Sequence, residues 1–108
     1  MEEVMLVEIE PQEIKDMLDR DEAILIDVRE AQELAKFAIA NSMHNPLSKF
    51  DFEAIPQDSE KKLVFACAHG IRSNQIARYL IQEKYISKAY NMKGGMSAWS
   101  RAGLPAKK

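Results

Sequence analysis

The chain has 108 residues, with 15 Lys and Arg against 17 Asp and Glu, a formal charge of −2. At 46% apolar and 30% charged residues it has the balance of a soluble globule, and its length suits a single domain over residues 1–108. One cysteine excludes an intrachain disulfide and a multi-cysteine zinc cage, dispersed lysines leave no basic stripe for nucleic acid, and no apolar run nears the roughly 20 residues of a membrane span.

Met1-Glu2-Glu3 is acidic where a secretory signal would be positive and then apolar. The Lys107-Lys108 end is too short for a polybasic arm. Cytoplasm, whose reducing poise suits a free thiol, is therefore the expected location.

In chain order, Met5 to Ile9 alternates as a short strand would. Pro11 suits the first position of a helix whose buried stripe is Ile14, Met17 and Leu18, with Asp19-Arg20-Asp21 as a polar stop. Ala23 to Ile26 is apolar throughout and ends in Asp27, the pattern of a strand covered on both faces. Glu30 to Phe37 reads as a helix with acidic residues in its first turn. Asn41 to Pro46 is turn-rich with a short strand, and Ser48 to Ile55 suggests a short helix with Ser48 and Asp51 in capping-box spacing.

Lys62 to Ala66 is a second buried strand running into Cys67. The helix after it carries Ile76, Ala77, Leu80 and Ile81 on one face and ends near Lys84. Lys88 to Met92 reads as a last strand, Gly94-Gly95 as a turn and Met96 to Arg101 as a terminal helix. Alternating strands and helices predict an α/β domain with a mainly parallel sheet and helices on both faces.

Ligands of open α/β sheets bind outside the carboxyl ends of the strands, and Cys67 sits at such an end. Gly70 lets the loop turn tightly. A helix starting near Arg72 or Ser73 adds unpaired N–H groups and a positive dipole end, and Arg72 adds a charge. Together these form an anion cradle that lowers the thiol pKa below its ordinary ~8.5 and makes a nucleophilic thiolate. The plainer alternative is an inert core cysteine, since free cysteines are among the most buried residues. The succession of strand, Cys67, glycine loop, Arg72 and amphipathic helix favours the nucleophile.

Cys67-Ala68-His69-Gly70-Ile71-Arg72-Ser73 resembles the active-site loop of single-domain rhodaneses, the thiosulfate-type sulfurtransferases. Leu25-Ile26-Asp27-Val28-Arg29-Glu30 with Glu33 is similar to the same family's early Asp-Val-Arg-Glu signature. Gly94-Gly95-Met96-Ser97-Ala98-Trp99 with Gly103-Leu104-Pro105 is similar to its C-terminal pattern. Three motifs in order span nearly the whole chain. The resemblance implies a central five-stranded parallel sheet and a persulfide mechanism. Cys67 would take the outer sulfur of a small anionic donor such as thiosulfate, expel sulfite, and pass the sulfur to cyanide or a thiol. A protein could serve as sulfur donor or acceptor. Loop N–H groups from Ala68, His69, Gly70, Ile71, Arg72 and Ser73 would hold the persulfide and the donor, which Arg72 would orient.

Two alternatives stand beside this reading. A Cys-loop phosphatase of the related type carries Cys-x5-Arg, whereas Arg72 gives Cys-x4-Arg and Ser73 occupies the longer loop's arginine position. A carrier or docking module would load sulfur from a partner protein and turn over thiosulfate poorly. The chain also departs from the family at Phe37-Ala38-Ile39-Ala40-Asn41-Ser42, where many rhodaneses have Gly-His-Ile-Pro-Gly-Ala. Altered packing or partner choice, rather than lost chemistry, is the expected consequence.

His69 is expected to face solvent, since a thiolate already ionised needs no base. His44, in a polar turn, is expected to be structural or solvent-facing. No zinc-site spacing joins Cys67 to either histidine, so no metal is expected, and nothing in the pattern asks for a cofactor. Asp27 and Arg29 are expected to hold the loops at the sheet's active edge, with Glu33 one helical turn on as the partner of Arg29. Trp99 suits the core, Gly94-Gly95 could bring backbone near the cysteine loop, and Ser73 could cap the helix or donate to the cradle.

Overall fold

The computed structural model describes residues 5–57 and 60–106. The acidic start at Met1-Glu2-Glu3 and the Lys107-Lys108 end lie outside these residues. Among the described residues five strands form one sheet: β1 (Leu6–Ile9), β2 (Ala23–Asp27), β3 (Met43–His44), β4 (Lys62–Ala66) and β5 (Ala89–Met92). Their spatial order is β1-β5-β4-β2-β3, and every pairing is parallel. The two apolar runs are β2 and β4, two of the three interior strands, paired from Ala23 against Lys62 to Asp27 against Ala66. A parallel sheet covered on both faces needs such runs.

Among the described residues the α-helices are α1 (Pro11–Asp19), α2 (Ala31–Leu34), α3 (Ile71–Gln82) and α4 (Gly95–Arg101). Helix α1 and helix α4 share one core with the sheet, in which Ile14, Met17, Leu25, Met96 and Trp99 are buried. The expected α1 stripe is present, with Leu18 packed at its margin. On the other face α3 sets Ala77 and Leu80 against Ile26 and Phe65, with Ile76 and Ile81 alongside. Among the described residues no helix is long and apolar enough to cross a membrane.

Two predicted helices are corrected. Helix α2 is one turn, not the eight residues from Glu30 to Phe37. Glu30 caps it through a reciprocal box with Glu33, but Phe37 is needed elsewhere: its carbonyl accepts from Arg29 at 3.0 Å and its ring lies 5.2 Å from the guanidinium. The Ser48–Ile55 stretch forms two 3-10 turns, Leu47–Lys49 and Phe52–Ala54, instead of a helix. Ser48 bonds the Glu30 carboxylate rather than capping its own turn. Asp51 caps the second turn, accepting from the Glu53 N–H at 3.0 Å.

The departure at residues 37–42 closes by its own means. Ile39 is buried, Asn41 takes the left-handed conformation at φ +63°, which asparagine tolerates, and the Ser42 hydroxyl donates to the Ile39 carbonyl at 2.9 Å.

Asp27 ends β2 fully buried, and Arg29 meets it bidentately at 2.7 and 3.0 Å. The Arg29 backbone N–H adds a third bond to the carboxylate at 3.1 Å. His44 bonds the Arg29 carbonyl at 2.7 Å, so this pair ties the edge loops together, as expected. Removing one partner from such a pair leaves an uncompensated buried charge, so Arg29→Met should cost about 3–5 kcal/mol. Asp27→Leu added to Arg29→Met should recover much of that loss in urea unfolding. A double variant no more stable than the single one would show that the pair stabilises through its own attraction.

Candidate active site

Cys67 follows β4 at the carboxyl edge of the sheet and is 1% exposed. Gly70, at φ +88°, reverses the chain into α3 so that the first turn of that helix faces the sulfur. A side chain at residue 70 would meet the Met92 carbonyl at 3.1 Å and the Gly94 nitrogen at 3.2 Å. The helix begins at Ile71, one residue earlier than expected.

The Gly70 N–H donates to Cys67 Sγ at 3.1 Å and the Ser73 N–H at 3.4 Å, while Ser73 Oγ lies 3.3 Å away. Burial alone pushes the thiol up, but the Ser73 hydroxyl and the N–H groups of Ser73, His69 and Gly70 outweigh it and draw the pKa below its usual value. The cradle therefore favours a thiolate.

Among the loop residues singled out from the sequence, His69, Gly70 and Ser73 thus act on the sulfur. The Ala68 carbonyl instead accepts from the Ser97 N–H at 3.0 Å, and the Cys67 carbonyl from the Met96 N–H at 2.9 Å. The start of α4 therefore braces the loop from behind, giving Gly94-Gly95 the neighbouring role expected of it. The His69 and Ile71 side chains are exposed at the rim, Ile71 by 66%. Trp99 is fully buried and donates to the Pro105 carbonyl at 3.0 Å.

Arg29 does meet Glu33, one helical turn on, but through the Glu33 backbone carbonyl at 3.5 Å; its carboxylate partner is Asp27. Glu33 reaches across the site to Arg72, whose two terminal nitrogens meet its oxygens at 2.9 and 3.0 Å. The Arg72 hydrogen bonds hold the Glu33 carboxyl down at about 2, against burial that opposes them. Arg72 is raised in turn, first by Glu33 and further by the negative sulfur of Cys67. The guanidinium is thus a shared charge, fixed by α2 and felt at the thiol.

Because the Glu33 pKa falls on folding, its contribution is full above the ordinary value of 4.5 and is lost as pH drops toward about 2. The stability difference between wild type and Glu33→Gln should therefore shrink across that window in urea titrations. A difference independent of pH there would mean the carboxylate charge does not secure Arg72.

Sequence reasoning missed Asn91, near the end of β5 and 1% exposed. Its Oδ1 meets Ser73 Oγ at 2.6 Å; its Nδ2 donates to the Gly70 carbonyl at 3.0 Å and to Glu8 at 2.9 Å. Asn74 also donates to Glu8. A buried polar residue in an otherwise apolar last strand was the one available signal. Among the described residues, no group of three or more His, Cys, Asp or Glu side chains could hold a metal ion.

The rhodanese-like domain family model matches residues 10–102. The chain is 32% identical over 98 residues to thiosulfate sulfurtransferase GlpE of Actinobacillus succinogenes, covering 91% of this chain and 87% of that protein. A rhodanese-related protein from Thermoplasma volcanium superposes with a TM-score of 0.77 at 27% identity, over 93% of this chain and 96% of that one. A Rhodopseudomonas palustris protein described as a possible tyrosine phosphatase shares the fold, with a TM-score of 0.81 at 23% identity over 94% and 85% of the two chains. With its parallel five-stranded sheet and its cysteine loop at the carboxyl edge, the chain belongs to the rhodanese-like domain family.

Proposed function

We propose that the chain works as one rhodanese-like domain with sulfurtransferase activity, Cys67 being the persulfide-forming nucleophile. The observation that carries this reading is the Cys67 sulfur, held at the start of α3 by the N–H groups of Gly70 and Ser73. The relative from Actinobacillus succinogenes, a thiosulfate sulfurtransferase, supports the class of reaction.

The thiolate attacks the outer sulfur of thiosulfate, forming the Cys67 S–S bond as the bond to the sulfonate sulfur breaks. Sulfite leaves with the electron pair of that bond, and the terminal persulfide sulfur keeps the negative charge. An external thiolate or cyanide then attacks that sulfur and regenerates the Cys67 thiolate. The chain's lone cysteine offers no resolving thiol, so the acceptor comes from outside. The donors of Ala68 to Ser73 form the cradle for the donor and the persulfide. Arg72, anchored by Glu33, presents its charge from a fixed position, which restrains orientation more than it adds net attraction.

The Cys-x4-Arg spacing favours a sulfur-sized cradle over one for a phosphate tetrahedron. Sulfur carriage for a protein partner is the second reading, and the exposed Ile71 side chain on the loop rim favours it. Steady-state turnover of thiosulfate with cyanide should be observed and should exceed the rate of sulfur loading by a cysteine desulfurase. Rapid desulfurase loading with negligible thiosulfate turnover would make the domain a carrier. A soluble cytoplasmic setting fits the free thiol.

A further inference from the structure

Ser73 carries one hydroxyl proton and faces two acceptors. Asn91 Oδ1 is 2.6 Å from its oxygen and Cys67 Sγ is 3.3 Å away. The orientation of the Asn91 amide is fixed, because its nitrogen lies against two acceptors, the Gly70 carbonyl and the Glu8 carboxylate. Its oxygen must therefore face Ser73 and can only accept.

We propose that Asn91 is a positioning residue that competes with Cys67 for the Ser73 proton and thereby sets how readily the thiol ionises. While the sulfur is protonated, Ser73 donates to Asn91 and turns a lone pair toward the S–H. When the S–H proton leaves to solvent, the Ser73 O–H bond stays intact and rotates from Oδ1 to the thiolate. Asn91 Oδ1 is then left without a donor in a buried place, which costs free energy. The N–H groups of His69, Gly70 and Ser73, and the charge of Arg72 held in place by Glu33, serve the sulfur in both states, so the Ser73 hydroxyl is the donor that moves. The same rotation serves the anionic persulfide of the proposed reaction, and to that extent the inference rests on that reading.

The test reads ionisation, not turnover, so it stands whether or not Cys67 takes up sulfur. Ultraviolet thiolate absorbance, taken as the difference from Cys67→Ser so that the three tyrosines cancel, titrates the chain's lone cysteine. Asn91→Leu and Asn91→Ala should lower the thiol pKa by roughly half to one pH unit, the scale of one neutral hydrogen bond. In a Ser73→Ala background the same substitutions should leave it unmoved. An equal fall in both backgrounds, or no fall at all, would overturn the proposal.

Both Asn91 variants lose three hydrogen-bond partners, so the unaltered residue supplies a second test. The Asn91 carboxamide 13C shift, which responds to bonding at Oδ1, should titrate with the Cys67 midpoint in wild type and stay flat in Ser73→Ala. A flat wild-type shift, or one that still follows the thiol in Ser73→Ala, refutes the exchange of the proton.

Discussion

Cys67→Ser is expected to reduce thiosulfate:cyanide turnover at least about a thousandfold, to the background without protein, while the fold persists. A serine hydroxyl in the same cradle titrates far above neutrality and cannot form a persulfide, and the chain has no other thiol to substitute for it. Serine differs from cysteine by one atom and still meets the N–H groups of Gly70 and Ser73. A circular-dichroism melt close to wild type should therefore accompany the lost activity. Turnover within tenfold of wild type would remove Cys67 from the chemistry altogether.

Gly95→Ala is expected to be the most damaging conservative change in the chain. A Cβ at residue 95 would lie 2.4 Å from the Cys67 carbonyl oxygen and 2.6 Å from both carbonyl atoms of Ala68, with φ at +63°. All three are backbone atoms, so the clash is relieved only by separating α4 from the cysteine loop. That breaks the Met96 and Ser97 hydrogen bonds to the loop and displaces the sulfur. The variant should lose about 3–4 kcal/mol, together with donor use beyond what unfolding explains. Gly103→Ala supplies the comparison: φ is +73° there, but a Cβ meets nothing within 4 Å, so the conformational cost of about 1–2 kcal/mol stands alone. Equal losses in urea midpoint would mean that the loop does not rest on α4.

What the sequence discloses follows the range of the interactions concerned. Strands β2 and β4 are legible because burial on both faces forces an unbroken apolar run. The α1 stripe and the position of Cys67 before a glycine-containing turn are likewise local patterns. The short α2 is not legible, because Phe37 leaves the helix to cover Arg29 and accept its hydrogen bond. Ser48 misleads for a similar reason: its hydroxyl has a partner at Glu30, on a different loop.

The site shows the same division more sharply. Spacing along a helix suggests Glu33 for Arg29, yet Asp27 is nearer in sequence and already buried beside it. Glu33 is then free to meet Arg72, 39 residues away. Asn91 and Glu8, 83 residues apart, become neighbours only because β1 and β5 pair in parallel. The nucleophile's loop is therefore a local message, whereas the groups that orient it come from sheet topology.

Intact-protein mass spectrometry after brief exposure to thiosulfate tests the assignment of Cys67 most directly. Wild type should gain the mass of one sulfur atom, lose it on addition of cyanide or a thiol, and gain nothing as Cys67→Ser. No gain in folded wild type, or the same gain in both proteins, would contradict a persulfide on Cys67.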